Sequence, residues 1–184
     1  MDINIPVNTS RKERMDKIFL IGFMGSGKTY WGERWASQSN LSFYDLDTLI
    51  EKNEGQSVME IFEKKGEEHF RKKESAILRQ FDNEDNYLIA CGGGTPCFYD
   101  NMQWMNMEGI TVYLKASPAE IMDRVLNEKT TRPLIKNLNR DELQLFIEQK
   151  LKEREPDYLQ ATLSLPVSGL TDHSIDLIIR TTRS

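Results

Sequence analysis

Gly22-Phe23-Met24-Gly25-Ser26-Gly27-Lys28-Thr29 follows the apolar run Ile18-Phe19-Leu20-Ile21 without a gap, and no other stretch restricts the fold of this chain as strongly. A strand that runs through a glycine-rich turn into a helix points successive backbone N–H groups, and the positive end of the helix dipole, at one small volume where an anion can sit. In this pattern the lysine, here Lys28, reaches the β- and γ-phosphates of a nucleoside triphosphate, and the hydroxyl of Thr29 serves Mg²⁺. The first expectation is therefore a nucleotide site on an α/β fold; a plain glycine turn ahead of a helix is the alternative.

The rest of the chain fits that fold. Short apolar runs at 17–22, 42–45, 87–91 and 110–114 alternate with helical patterns, the order expected of right-handed βαβ crossovers in a parallel sheet. Ser57 should open a helix that Gly66 breaks ahead of a longer charged helix reaching about Phe81. Ser117-Pro118-Ala119-Glu120 reads as a capping box with proline at the first helical position, so a helix should run to about Asn127. Another is expected from 139 or 140 to Arg154, stopped before Pro156. A strand near 161–167 and a terminal helix from about Asp172 complete the order, although Ile175, Leu177 and Ile179 also alternate as a strand would. The polar stretch 129–139 contains Arg132-Pro133 and is expected to be a mobile loop over the site, with an inert surface linker as the alternative. A length of 184 residues suits one domain, read here as 17–184 behind a disordered tail at 1–16.

Charge and cysteine usage exclude several classes of partner. A net charge of −5 leaves no basic face for nucleic acid or an anionic membrane. No apolar stretch approaches the roughly 20 residues of a membrane span, and the polar start has no signal-peptide core. Cys91 and Cys97 match no zinc spacing and read as reduced thiols of a cytoplasmic protein. His69 and His173 look like neither a metal pair nor an acid/base pair.

Two further segments carry chemistry. Phe43-Tyr44-Asp45-Leu46-Asp47 puts two carboxylates just past the second strand, on the carboxyl edge where open parallel sheets bind ligands. One can hold Mg²⁺ and the other can accept a proton from an attacking hydroxyl, unless both are solvated loop residues that cap the next helix. Cys91-Gly92-Gly93-Gly94-Thr95 follows the third strand, where bare backbone lets a ligand approach main-chain N–H groups. Arg71 and Arg154, taken singly, are ordinary helical charges.

Taken together, the G-F-M-G-S-G-K-T loop, F-Y-D-L-D running on into Ile50-Glu51, G-E-E-H-F-R, C-G-G-G, T-R-P-L and R-E-P-D-Y resemble the shikimate kinase family over nearly the whole span from Lys17 to Ile179. The resemblance implies a P-loop three-layer fold, with a five-stranded parallel sheet of order 2-3-1-4-5 between helices and a mobile lid. It also implies transfer of the ATP γ-phosphoryl group to the 3-hydroxyl of shikimate; a monomer is expected. Carried over residue by residue, Gly25, Ser26, Gly27, Lys28, Thr29 and Tyr30 would hold the nucleotide, while Thr29 and Asp45 would hold Mg²⁺. Asp47 would bind the shikimate hydroxyls and act as the base, with Lys28 and Arg132 as the other catalytic residues. Arg71 and Arg154 would clamp the substrate carboxylate, helped by the backbone of Gly93, and Phe62 and Phe70 would wall the ring unless they serve the core. In one respect the chain departs from the family: Ser168-Gly169-Leu170-Thr171-Asp172, before the last helix, holds no basic residue for the adenine, which leaves Arg124 as the candidate to stack on the purine. Another small-metabolite P-loop kinase, such as a gluconate kinase, and a non-catalytic nucleotide-binding module are the competing readings.

Overall fold

The computed structural model describes residues 16–128, 135 and 138–181. Arg132 and most of the expected lid, as well as the expected tail up to residue 15, lie outside them. Asp16 does not behave as tail: it is buried and its carbonyl accepts a hydrogen bond from Tyr87 N at 2.9 Å.

Five parallel strands form one sheet in the order β2-β3-β1-β4-β5: β1 (Lys17–Ile21), β2 (Ser42–Asp45), β3 (Tyr87–Ala90), β4 (Ile110–Lys115) and β5 (Leu163–Pro166). The inner strands are covered on both faces, so they read as continuous apolar runs rather than alternating ones. β1 is central, with Phe19 opposite Ile89 on one side and Thr111 on the other. Each large side chain buried there contributes about 1.5–3 kcal/mol.

The helices begin and end where local chemistry dictates. α1 (Lys28–Ser39) starts behind Gly27, whose φ of 91° few side chains would tolerate, and ends at Asn40, also left-handed. Asp45 caps α2 (Leu46–Glu54) by accepting from Thr48 N, and Gly55 closes it. A reciprocal Ser57/Glu60 box opens α3 (Val58–Leu78), which kinks at Gly66, as its sequence predicts. α4 (Asn101–Glu108) packs Met102 and Met105 into the core, α5 (Pro118–Glu128) follows the Ser117/Glu120 box, and α6 (Arg140–Tyr158) opens on an Asn139/Glu142 box. α7 (Ser174–Thr181) buries Ile175, Ile178 and Ile179 at helical spacing, which decides the ambiguity of that segment.

One boundary departs from expectation. α6 continues through Pro156 to Tyr158. The proline removes only one late N–H, and the extra turn brings the Tyr158 ring fully into the core with its hydroxyl donating to Gly93 O. Burial of that ring outweighs the local preference of the residue before proline.

α2 and α3 are tied together by an ion cluster. The Glu54 carboxylate, almost wholly buried, accepts from Lys65 Nζ at 2.6 Å, His69 Nε2 at 2.9 Å and Lys73 Nζ at 3.0 Å. These partners, Lys65 foremost, pull its pKa from an ordinary 4.5 down to about 2. A carboxyl group more acidic in the folded state stabilises fully above its unfolded pKa and loses that contribution as pH falls through the folded one. Thermal midpoints should therefore drop between about pH 4.5 and pH 2, and Glu54→Gln should flatten that part of the profile while lowering the midpoint at neutral pH. An unchanged acid limb in the variant would show that the cluster contributes nothing.

Candidate active site

The loop between β1 and α1 shapes an anion cradle at the carboxyl edge of the sheet. Lys28, buried beside it, donates from Nζ to Gly22 O and Phe23 O, both at 2.9 Å, so its ammonium is fixed where incoming phosphate oxygens can replace the carbonyls. Ser26 is fully buried within the loop, and Gly25 O accepts from Arg124 Nη1 at 3.0 Å. Thr29 Oγ1 donates to Asp45 Oδ2 at 2.8 Å. A hydroxyl and a carboxylate in contact beside a phosphate cradle are the hard oxygen donors that Mg²⁺ accepts alongside phosphate and water. Asp45 also caps α2 through its other oxygen, as the capping reading of this residue expects, and the cap leaves Oδ2 turned to Thr29. The cavity over the loop, about 570 Å³, is lined by Gly25, Gly27, Lys28, Thr29, Tyr30, Trp31 and Arg124, and by Asp45 and Asp47. Tyr30 is largely exposed at its mouth.

A second, smaller cavity adjoins the first. Asp47, Phe62, Phe70, Arg71, Glu74, Gly94 and Arg154 line it, and Met24, Asp47, Gly92 and Gly93 belong to both. Asp47 thus stands where the two spaces meet, one residue into α2. Arg71 is buried, with Nη1 on Glu74 Oε2 at 2.9 Å and Nε and Nη2 on Glu67 Oε1 at 3.2 and 3.1 Å. Its ring neighbours are Phe98 at 4.6 Å and Phe70 at 5.1 Å. Burial acts against its charge most strongly, yet the carboxylates of Glu74 and then Glu67 outweigh it and raise the pKa above the ordinary value. Arg154 is half-buried over the Phe23 ring at 5.7 Å. Phe62 and Phe70 sit with ring centroids 4.8 Å apart, serving the cavity wall and the core at once.

The triglycine segment lets these groups converge. A β-carbon on Gly92 would stand 2.8 Å from Glu74 Oε1 and 3.1 Å from Asp47 Oδ1, and one on Gly94 would stand 2.5 Å from Arg71 Nη2. Bare backbone is therefore required for Asp47, Glu74 and Arg71 to share this space.

Three contributors were not singled out in the sequence. Glu74, with no exposure, fixes Arg71 and accepts from Thr95 Oγ1 at 2.6 Å; its three-residue spacing from Arg71 on one helix was the available signal. Tyr158, the last residue of the R-E-P-D-Y segment, holds Gly93, and Trp31, which no motif marks, faces the nucleotide cavity. The two cysteines are free. Burial pushes the Cys91 thiol far above its usual range and, with Asp157, that of Cys97 up to about 12, which leaves neither as a nucleophile near neutral pH. His69 belongs to the Glu54 cluster and His173 is exposed.

The two cavities thus share one carboxylate, the first floored by the glycine loop and the second lined by two guanidinium groups. The shikimate kinase family model matches residues 24–181. The chain belongs to the shikimate kinase family. It is 41% identical over 160 residues to the shikimate kinase of Parabacteroides distasonis, covering 87% of this chain and 92% of that one. The crystal structure of shikimate kinase from Bacteroides thetaiotaomicron superposes with a TM-score of 0.82 at 39% identity, over 91% of this chain and 96% of the other. Shikimate kinase from Acinetobacter baumannii in complex with shikimate gives 0.79 at 29% identity, over 92% and 91%. As a shikimate kinase family member this chain is an ATP-dependent kinase that phosphorylates shikimate. No helix among the described residues is long and apolar enough to cross a membrane.

Proposed function

We propose that the cavity over the glycine loop holds ATP, that the adjoining one holds shikimate, and that Asp47 is the general base between them. The observation that carries this reading is the position of Asp47 in the lining of both cavities. Arg71 and Arg154 grip the substrate carboxylate, because a planar guanidinium offers paired donors that match two carboxylate oxygens. The backbone of Gly93, itself fixed by Tyr158, completes that grip. One Asp47 oxygen accepts the proton of the 3-hydroxyl as its oxygen bonds to the γ-phosphorus; the bond from that phosphorus to the β–γ bridging oxygen breaks, and its electron pair leaves with ADP. Lys28 and the N–H groups of Gly25 to Thr29 take up charge on the phosphates, in chemistry that depends mainly on positioning and charge stabilisation.

Thr29 and Asp45 fit Mg²⁺, which when bound neutralises charge on the β- and γ-phosphates. Arg132 is the remaining catalytic group, its guanidinium stabilising charge on the transferring phosphoryl group, while Arg124 stacks on the purine. The enzyme is taken to work as a monomer, and the use of ATP suits a cytoplasmic location. Release of ADP from MgATP, followed with shikimate, quinate and gluconate as acceptors, tests the proposal. Turnover should require shikimate and be at least about a hundredfold slower in kcat/KM with gluconate, which lacks a ring to fill the wall of Phe62 and Phe70. Preference for gluconate would overturn the assignment of the second cavity.

A further inference from the structure

Trp31 sits one turn into α1, directly behind the phosphate loop, and no step above uses it. Its indole stacks on the fully buried Trp35, with centroids 5.3 Å apart and planes at 27°, and meets the Tyr30 ring edge-on at 5.2 Å. Those contacts fix the ring, yet it is not itself buried, and it lines the nucleotide cavity. The edge that carries the N–H points at Gly27: a β-carbon there would lie 3.4 Å from Trp31 Cδ1, 3.7 Å from its Nε1 and 3.3 Å from Arg124 Nη1. Trp31 and Arg124 therefore close on the same point of the loop. Among the described residues the indole N–H makes no hydrogen bond. Trp35, by contrast, uses its N–H on Thr171 O at 3.0 Å.

The segment from Val167 to Asp172, whose Val167 lines the same cavity, has no cationic group of its own. It is fastened to α1 by Trp35 and by Arg34, which donates to both Asp172 oxygens at 2.8 and 2.6 Å. The cavity beyond the phosphate cradle is thus bounded by an indole, a guanidinium and the side chain of Val167. An aromatic surface, a delocalised cation and an aliphatic group suit a flat uncharged heteroaromatic ring, and they read its π-face rather than its donor pattern.

We propose that Trp31 is a specificity-determining residue of the nucleotide site, contacting the base of the phosphoryl donor through its indole. This rests on the reading that the cavity over the glycine loop takes ATP. A surface that recognises ring area accepts either purine and disfavours the smaller pyrimidines. GTP should therefore act as donor with kcat/KM within about a hundredfold of ATP, and UTP should be poorer than both. Base–aromatic contacts removed by truncation to alanine weaken binding by about 5- to 150-fold. Trp31→Ala should raise the Kd for ADP and the KM for ATP and GTP over that range, leave the KM for shikimate within about twofold, and leave binding of inorganic tripolyphosphate, which has no base, unchanged. Trp31→Phe should recover most of the loss.

The chain has three tryptophans, so fluorescence offers an independent readout. ADP should change the emission of the wild-type chain and of Trp104→Phe, whereas Trp31→Phe should lose most of that change. If ADP affinity is unaltered in Trp31→Ala, or if tripolyphosphate binding falls as much as ADP binding does, the assignment fails, the second result marking Trp31 as a support for the loop alone. Failure of the wild-type chain to bind ADP or ATP at all would overturn the nucleotide site itself, and the two failures are separable in one titration series.

Discussion

Asp47→Asn should lower kcat by about 10²- to 10⁴-fold, the usual worth of a positioned general base, while ADP binding stays within about twofold of wild type. The substitution keeps the size and shape of the side chain next to Gly92 and removes the one group lining both cavities that can take the hydroxyl proton. Lys28, Thr29 and Asp45, which serve the nucleotide, keep their own bonds. Single-turnover rates with saturating shikimate, set beside ADP titrations, separate the two effects. Near-normal turnover would remove Asp47 from the base role; a large loss of nucleotide affinity would mean that Asp45 and Asp47 have exchanged roles.

Truncating the two arginines should give different outcomes for stability and the same outcome for substrate. Arg71→Ala and Arg154→Ala should each weaken shikimate binding by about 2–5 kcal/mol, because the carboxylate loses one partner of a buried pair. Only Arg71→Ala should also destabilise the fold, by about 3–5 kcal/mol, since it strands the fully buried Glu74 carboxylate without its counter-charge. Arg154, half-buried and over Phe23, leaves no comparable orphan. Adding Glu74→Gln to Arg71→Ala should recover part of the stability but none of the shikimate affinity, which separates the structural effect from the binding one. Chemical denaturation and calorimetric titration of the three variants provide the test, and unchanged shikimate affinity in either single variant would contradict the clamp.

What the sequence discloses follows the range of the forces involved. The phosphate loop, the Ser57, Ser117 and Asn139 helix starts and the Gly66 kink all depend on neighbours within four residues, so their signals are local and the structure matches them. The sheet order came from the resemblance in motif order and agrees with the observed topology. α4 was not expected, because Asp100 precedes it in a left-handed conformation without a side-chain cap, and only Met102, Met105 and Asn101 turn inward. The extension of α6 past Pro156 was hidden for a different reason: it depends on the Tyr158 ring finding the core and its hydroxyl finding Gly93, 65 residues away in the chain. In the site, the acidic and basic residues were legible as types in motifs. The Glu74 bond to Thr95 and the convergence of Trp31 and Arg124 on Gly27 exist only in three dimensions.

The central claim is that one carboxylate between a phosphate loop and a two-arginine pocket directs the ATP γ-phosphoryl group onto a ring hydroxyl of shikimate. Phosphorus and proton NMR of the product from MgATP and shikimate tests it most directly. One new phosphomonoester, coupled to the proton on carbon 3 and formed in step with ADP, is the expected result. Phosphate on another hydroxyl, or ADP released at the same rate with and without shikimate, would contradict the account.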